Sequence, residues 1–182
     1  MIKRIYIKIL CALGKAVDIK SNAKYPANVL SNFWGNNFQY DGVQCKSMEG
    51  FLQSLKYDDP EKQRQICQCR GRKAKHKGTE RWKVMQQIYW KGQCMDRHGE
   101  EYQQLLRSAY QSMFSQNNSF KSALMLTRGR RLYHSIGTNN PYETILTADE
   151  LCTILTELRD GADSVRRCSR ECSRSSCPFR KQ

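Results

Sequence analysis

Four apolar residues recur at helical spacing between Ser47 and Lys56. They are Met48, Phe51, Leu52 and Leu55, at positions i, i+3, i+4 and i+7. This spacing is typical of a helix that turns one face toward a protein core. Ser47 is suited to cap the first turn of such a helix, where the helix dipole also favours the negative charge of Glu49.

The polar residues of the same segment occupy the opposite face of the predicted helix. Glu49, Gln53 and Lys56 place a carboxylate, an amide and an ammonium over two turns. A helix held by its own apolar face can present such a set to one polar ligand. The pattern therefore predicts a binding site on this face.

Three further helices are predicted. Glu61 to about Arg72 follows the break at Pro60, and Glu100 to Phe114 keeps the 3.6-residue apolar period of a core helix. The capping box of Thr147 and Glu150 opens a third helix, which we expect to end near Asp160 and Gly161.

Short strands complete the predicted fold. Ile5, Ile7 and Ile9 alternate as in an N-terminal strand, Asp41 and Gly42 form a hairpin turn signal, and residues 131–136 alternate again. These elements predict an α+β fold, predominantly helical, with a hairpin at the ligand site.

The predicted domain organisation is one globular unit followed by a tail. Residues 1–161 form the domain, within which residues 1–28 are the N-terminal strand and lead-in. Residues 162–182 are rich in Cys, Arg and Ser and contain almost no large apolar side chain. Such a segment buries too little apolar surface to offset its ordering, so we expect a disordered basic tail.

Composition and charge indicate an anionic partner. The chain has 182 residues and a formal charge of +14, from 31 Lys and Arg against 17 Asp and Glu. Residues 62–91 hold ten of these cations and one acid, Glu80, with Trp82, Tyr89 and Trp90 interleaved. This mixture resembles a groove for nucleotides or single strands. The alternative is a solvated basic face with the aromatic rings in the core, which is favoured for Trp90 and left open for Trp82.

The nine cysteines do not predict a metal site or a disulfide framework. Their number is odd, Cys67 and Cys69 are too close for a zinc knuckle, and no Cys-x2-Cys pair exists. We expect free thiols in a reducing cytosol, with no metal and no cofactor. Lys8 interrupts the N-terminal apolar run and no clear cleavage site follows, so a cytoplasmic protein without a membrane partner is predicted.

Five motifs in order carry a family resemblance. They are Leu30-Ser31-Asn32-Phe33-Trp34, Ser47-Met48-Glu49 with Gln53 and Lys56, Ala74-Lys75-His76-Lys77-Gly78 before Trp82, Met113-Phe114-Ser115-Gln116-Asn117, and Leu124-Met125-Leu126-Thr127 before Leu132. Together they resemble the NADAR (YbiA-like) family. The resemblance spans about residues 29–160.

The resemblance implies N-glycosidase chemistry. The expected substrates are phosphorylated ribosyl intermediates of riboflavin biosynthesis, or ADP-ribosylated guanine as a small molecule or in nucleic acid. Cleavage of such a bond passes through an oxocarbenium-like transition state, which requires a nearby carboxylate. The resemblance assigns catalysis to Glu49 and Lys56. It assigns substrate binding to Asn32, Phe33, Gln53, Lys75, Trp82, Asn117 and Asn140, and we add His134 as a further candidate from its residue type.

The chain departs from the family pattern after its last predicted strand. Asn140 occupies the position where many members have an aspartate, and an asparagine cannot act as a general base. His134 could act instead as acid or base, or could simply pack in the core. Two alternatives to catalysis therefore stay open: a nucleic-acid-binding protein, and a fold that binds ADP-ribose or NAD without hydrolysis.

Overall fold

Eight helices supply most of the regular secondary structure in the described part of the chain. A computed structural model of the protein describes residues 2–172, without the side chains of Lys3 and residues 163–172. The helices are α1 (Ile2–Ala12), α2 (Met48–Ser54), α3 (Pro60–Cys67), α4 (Gly71–Lys75), α5 (Trp82–Met85), α6 (Glu100–Gln116), α7 (Asn118–Met125) and α8 (Ala148–Cys172). The prediction of a predominantly helical α+β fold is confirmed.

Six short strands pair in twos. They are β1 (Ala16–Asp18), β2 (Phe38–Tyr40), β3 (Val43–Cys45), β4 (Gln87–Trp90), β5 (Gln93–Asp96) and β6 (Arg131–Tyr133). Strands β1 and β6 are parallel, whereas β2–β3 and β4–β5 are antiparallel hairpins. The predicted turn at Asp41 and Gly42 joins β2 to β3, with both residues at positive φ. The β4–β5 hairpin, which turns at Lys91 and Gly92, was not predicted.

Both hairpins pack against helix α2. The Phe51 ring lies 5.4 Å from the Tyr40 ring of β2 and 5.0 Å from the Trp90 ring of β4, measured between centroids. The four apolar residues predicted to face the core from α2 are all buried. Trp90 is buried as well, as favoured from the sequence. Helix α2 is therefore held from several sides, which fixes the orientation of its polar face.

The predicted N-terminal strand is wrong, because residues 2–12 form helix α1. Among the three isoleucines of that pattern, only Ile7 is buried, while Ile5 and Ile9 are exposed. Positions 5 and 9 are also four residues apart, so they share one face of a helix as readily as one face of a strand. In α1 that shared face points away from the core.

Two helix boundaries differ from prediction because of the backbone φ angles of two glycines. Gly71 has φ +55°, which divides the helix expected over residues 61–72 into α3 and α4. Gly161 is not in the left-handed region that ends helices, so α8 continues to Cys172. The basic tail expected from residue 162 is thus helical in backbone as far as Cys172. Residues 173–182 lie outside the described part of the chain.

The capping box predicted at the start of α8 is confirmed. The Glu150 amide donates to Thr147 Oγ1 at 3.1 Å, and the Thr147 amide donates to Glu150 Oε2 at 2.7 Å. Within residues 2–172, no helix has the length and apolarity needed to cross a membrane.

Candidate active site

Helix α2 brings Glu49 and Gln53 to one buried polar face. Ser47 caps the helix, accepting a hydrogen bond from the Gly50 amide at 3.0 Å. Glu49 is only 5% exposed, and its Oε1 accepts a hydrogen bond from Gln53 Nε2 at 2.8 Å. The one-turn spacing read from the sequence thus becomes a direct contact between the two side chains.

Two cations adjoin the Glu49 carboxyl group. Lys75 Nζ of α4 lies 3.8 Å from Glu49 Oε1, and its side chain is largely exposed. Burial raises the pKa of Glu49, and the charges of Lys75, Lys56 and His134 and the Gln53 hydrogen bond only partly offset this rise. Glu49 therefore holds its proton more tightly than an exposed glutamate does.

Lys56 lies two turns from Glu49, just after α2, and is itself 8% exposed. Burial is the main cause that lowers the pKa of Lys56 to about 8, and the nearby charge of Lys75 adds to it. Its Nζ lies 5.5 Å from the centroid of the Trp82 ring. At neutral pH Lys56 is mostly protonated, but its pKa of about 8 lies much nearer to neutrality than that of an exposed lysine.

Two buried polar atoms at this site lack a hydrogen-bond partner within the described residues: Gln53 Oε1 and Trp82 Nε1. An added Cβ on Gly78 would lie 1.9 Å from Gln53 Oε1 and 3.3 Å from Lys56 Nζ. Only a glycine therefore allows the chain after α4 to cover these side chains so closely. A buried acceptor and a buried donor without partners are features that a bound ligand could satisfy.

Asn32 joins the site through its backbone and its side chain. Its carbonyl accepts a hydrogen bond from the Glu49 amide at 2.9 Å, which ties the preceding loop to the first turn of α2. Its Oδ1 accepts a hydrogen bond from the Tyr110 hydroxyl at 2.7 Å. Phe33, the next residue, is half-buried in the same loop.

Tyr110 was missed as a site residue because its helical period assigned it only to the core. It is fully buried in α6, and burial raises the pKa of its hydroxyl far above the ordinary value. The hydroxyl therefore stays protonated and orients Asn32. The usable signal was the residue type, since a buried tyrosine hydroxyl requires a hydrogen-bond partner.

His134 directly follows β6. Its Nδ1 lies 2.7 Å from the Ile19 carbonyl oxygen. Because a carbonyl can only accept, Nδ1 carries the proton, and in the neutral ring Nε2 keeps the lone pair. The position of His134 is close enough for its charge to act on Glu49.

Two predicted site residues have structural contacts instead, and Asn117 Nδ2 also donates a hydrogen bond to the distant Asn37 carbonyl at 3.2 Å. Asn117 caps α7, where its Oδ1 accepts from the Phe120 amide at 2.9 Å. Asn140 is exposed, and its Oδ1 accepts from the Tyr142 amide at 3.1 Å in a turn. Within residues 2–172 no hydrogen bond joins either side chain to Glu49 or Lys56.

In the basic segment of residues 62–91, two of the three aromatic rings are unavailable as stacking platforms, and the third, Tyr89, is partly exposed. Trp82 and Trp90 are both 4% exposed, so neither ring face is open for stacking. Trp82 instead forms a wall beside Lys56. The described residues contain no group of three or more His, Cys, Asp or Glu side chains suited to a metal ion. The cysteines with described side chains are free thiols.

The fold of this chain is similar to that of a solved structure. The NMR structure of the Escherichia coli protein YbiA superimposes with a TM-score of 0.56 at 14% sequence identity, over 92% of each chain. At this identity the likeness concerns the fold alone. The predicted resemblance to the NADAR (YbiA-like) family is therefore supported at the level of architecture.

Sequence comparison identifies the family. The chain is 34% identical over 148 residues to a protein of Enterobacteria phage T4 described as an uncharacterized 17.1 kDa protein in the Gp30-rIII intergenic region. This match covers 80% of the present chain and 97% of the phage protein. The family model described as bacteriophage protein GP30.3 matches residues 24–160, well over half of the sequence. The chain belongs to the bacteriophage protein GP30.3 family.

Proposed function

We propose that the protein is an N-glycosidase that hydrolyses a C–N glycosidic bond in a ribose-phosphate or ADP-ribosyl substrate. The observation that carries the proposal is the buried Glu49 carboxyl group, held by Gln53 and flanked by Lys56 and Lys75. A carboxylate in a low-dielectric site interacts strongly with positive charge that develops on a ribosyl ring.

The proposed reaction uses the groups around Glu49 in distinct roles. The bond between the anomeric carbon and the base nitrogen breaks, a water oxygen bonds to that carbon, and the departing base takes up a proton. Ionised Glu49 would stabilise the oxocarbenium-like centre and accept one proton of the attacking water. Release of that proton from Glu49 to the departing base regenerates the carboxylate, so the two water hydrogens end on the sugar hydroxyl and the free base. Lys56 and Lys75 would contact the substrate phosphates or hydroxyls, since each is a cation beside the carboxylate.

The unpartnered atoms support a ligand with both donor and acceptor groups. Gln53 Oε1 needs a donor and Trp82 Nε1 needs an acceptor. Ribose hydroxyl groups supply both, because each hydroxyl donates once and accepts through its lone pairs. Since Gly78 lies directly over Gln53, binding to both atoms requires the segment from Gly78 to Trp82 to move aside.

Substitution of Glu49 tests the proposal directly. The Glu49→Gln variant keeps the shape of the side chain but cannot accept a proton. We expect release of free base from an ADP-ribosylated guanosine or a phosphorylated ribosylamine to fall by about 10²- to 10⁴-fold, as for loss of a general base. Mass spectrometry of the substrate panel measures the release. Glu61→Gln, a change of an exposed acid on α3, is the matched control and should retain full activity.

Two results would contradict the proposal: no turnover of any panel member by the intact protein, or an undiminished rate in Glu49→Gln. Thermal stabilisation by ADP-ribose without release of base would favour the alternative of a binding protein without catalysis. Circular dichroism of each variant establishes that it is folded.

A further inference from the structure

A groove of about 1330 Å³ lies between α1, β6 and the first turns of α8. Its walls are separate from the α2 face, and His134 is the one residue of the candidate site among those that line it. His134 therefore links the groove to the Glu49 site, because its charge also acts on Glu49. Its α1 wall lies outside residues 24–160, which the family model matches.

Uncompensated positive charge characterises this groove. Arg4 and Lys8 of α1 and Arg131 of β6 line it, and within the described residues none of the three forms an ion pair. Of the two acids on its walls, Glu157 is paired with a cation and Asp149 keeps its negative charge, so among the described side chains three unpaired cations face one unpaired acid. Asp149 accepts a hydrogen bond from Asn139 at 2.7 Å, and Glu157 pairs with Arg107 at 3.1 Å.

Size and lining favour a polymer over a single nucleotide. Sites for small ligands usually measure about 300–1,000 Å³, so this groove has room for more than one nucleotide unit. The Arg131 guanidinium lies 5.2 Å from the centroid of the Tyr133 ring, and both side chains line the groove. Arginine and tyrosine are side chains on which nucleic-acid bases stack. Hydroxyl groups of Ser135, Thr138 and Thr153 add polar contacts along the walls.

We propose that this groove binds the phosphodiester backbone of a single nucleic-acid strand. The cations of α1 and β6 contact successive phosphates, and the Arg131–Tyr133 pair supports a base. The strand then passes His134 toward Glu49. Binding in the groove needs no bond cleavage, so the proposal goes beyond the proposed function and can succeed or fail independently of it.

The experiment compares two charge-matched triple variants of the full chain. Arg4→Ala/Lys8→Ala/Arg131→Ala removes the groove cations, and Arg72→Ala/Lys73→Ala/Lys77→Ala removes three exposed cations in and just after α4. The probe is a fluorescein-labelled twelve-residue oligothymidylate, and anisotropy gives Kd across a salt series. We expect the groove variant to bind about 10-fold more weakly at 0.1 M salt. The slope of its log binding constant against log salt concentration should be smaller in magnitude by about 2. The α4 variant should bind nearly as the parent does.

The remaining outcomes each decide the proposal. Equal or greater weakening in the α4 variant, or no binding of the probe by the intact protein, would overturn it. If the groove triple variant does not fold, the double variant Arg4→Ala/Lys8→Ala is compared with Arg72→Ala/Lys73→Ala, with the same expectation. The oligothymidylate carries no ADP-ribosyl group, so its Kd reports on the groove, whereas base release by the intact protein reports on the Glu49 site. The two measurements separate failure of the groove from failure of cleavage.

Discussion

Lys56 is the side chain whose environment differs most from what its residue type suggests. A lysine after a helix is ordinarily a solvated surface residue, yet here it is buried beside the Trp82 ring. Its pKa is lowered to about 8 from an ordinary value of 10.5, with burial as the main cause. At neutral pH the buried charge of Lys56 therefore lowers the stability of the folded protein. A bound anion would offset this loss.

Lys56→Met is expected to stabilise the protein at pH 7 while removing activity. Met preserves the volume and eliminates the buried charge, so Tm should rise by about 2–4 °C, equivalent to about 1 kcal/mol in a chain of this length. Between pH 8 and 10.5 the unfolded chain binds a proton at Lys56 that the folded protein has released, so the stability of the parent rises with pH in this window.

The stability difference between Lys56→Met and the parent should therefore shrink as pH increases from 8 to 10.5. Thermal unfolding in a pH series measures it. Lys62→Met, at an exposed lysine on α3, is the control and should change Tm little. If the Tm difference between Lys56→Met and the parent stays constant over this pH range, the lowered pKa does not belong to Lys56.

At the scale of the single residue, the sequence predicted the Glu49 face but not all of its partners. Spacing placed Glu49 and Gln53 one turn apart, and the observed hydrogen bond follows from helix geometry. The contact of Lys75 with Glu49 and that of Tyr110 with Asn32 join residues far apart in the chain, and both depend on how α4 and α6 pack. Asn140, matched by motif order, is instead an exposed turn residue.

The close packing of α2 on α3 depends on one glycine. A Cβ at Gly50 would lie 2.6 Å from the Cys69 carbonyl oxygen, 3.0 Å from that of Ile66 and 3.1 Å from that of Cys67. All three are backbone atoms, which cannot rotate away as a side chain would. Gly50→Ala should therefore push α2 from α3 and lower the free energy of unfolding by about 1–3 kcal/mol, the usual cost of overpacking.

Gly161→Ala is the matched control for this prediction. Gly161 lies within α8, without a left-handed φ and with nothing within 4 Å of an added Cβ. Alanine there should stabilise the protein by about 0.5–1 kcal/mol through helix propensity. Urea unfolding of both variants measures the two effects. A Gly50→Ala variant as stable as the parent would show that α2 and α3 are not held in this contact.

At the scale of the element, sequence patterns identified the presence of helices and turns better than the residues at which helices begin and end. The Asp41–Gly42 hairpin and the Thr147–Glu150 capping box depend on neighbouring residues only, so they were predictable. Helix α1 was read as a strand because Ile5, Ile7 and Ile9 alternate along the sequence. In the helix, Ile5 and Ile9 lie one turn apart on an exposed face and Ile7 is buried. The break at Gly71 depends on a φ value that tertiary packing selects.

A buried ion pair joins distant parts of the molecule. Arg97, just after β5, donates to both oxygens of Glu150 in α8, at 3.0 Å and 2.7 Å. It is 1% exposed, and its Nε also donates to the Thr144 carbonyl at 3.2 Å. Gln103 of α6 donates to the same carboxylate at 2.8 Å. The pair thereby connects the second hairpin with α6 and α8.

Glu150→Ala should lower the free energy of unfolding by about 3–5 kcal/mol, because it leaves the Arg97 charge buried without a partner. Glu157→Ala on the same helix removes a largely exposed pair with Arg107 and should cost about 0–1 kcal/mol. Denaturant unfolding at pH 7 compares the two. Similar losses in both variants would contradict a special role for the buried pair.

Acid unfolding provides a second measure of this pair. Burial by itself would raise the pKa of Glu150, but the hydrogen bonds from Arg97, Thr147 and Gln103 and the charge of Arg97 outweigh it, and the pKa is lowered from 4.5. The pair thus contributes its full stability above pH 4.5 and loses it as pH falls through the lowered value. Glu150→Ala should show less acid destabilisation than the parent below pH 4.5.

The sequence by itself determined the features that depend on neighbours along the chain. Periodicity, capping residues and turn residues specify α2, α6, the start of α8 and the first hairpin, and the same spacing joins Glu49 to Gln53. Only the tertiary structure decided which distant groups meet. It buries Lys56 beneath Trp82, brings Lys75 and His134 toward Glu49, and sets α1 against β6 and α8 as a basic groove. Burial and long-range contact set charge states and pocket shape, and both depend on packing between segments far apart in the chain.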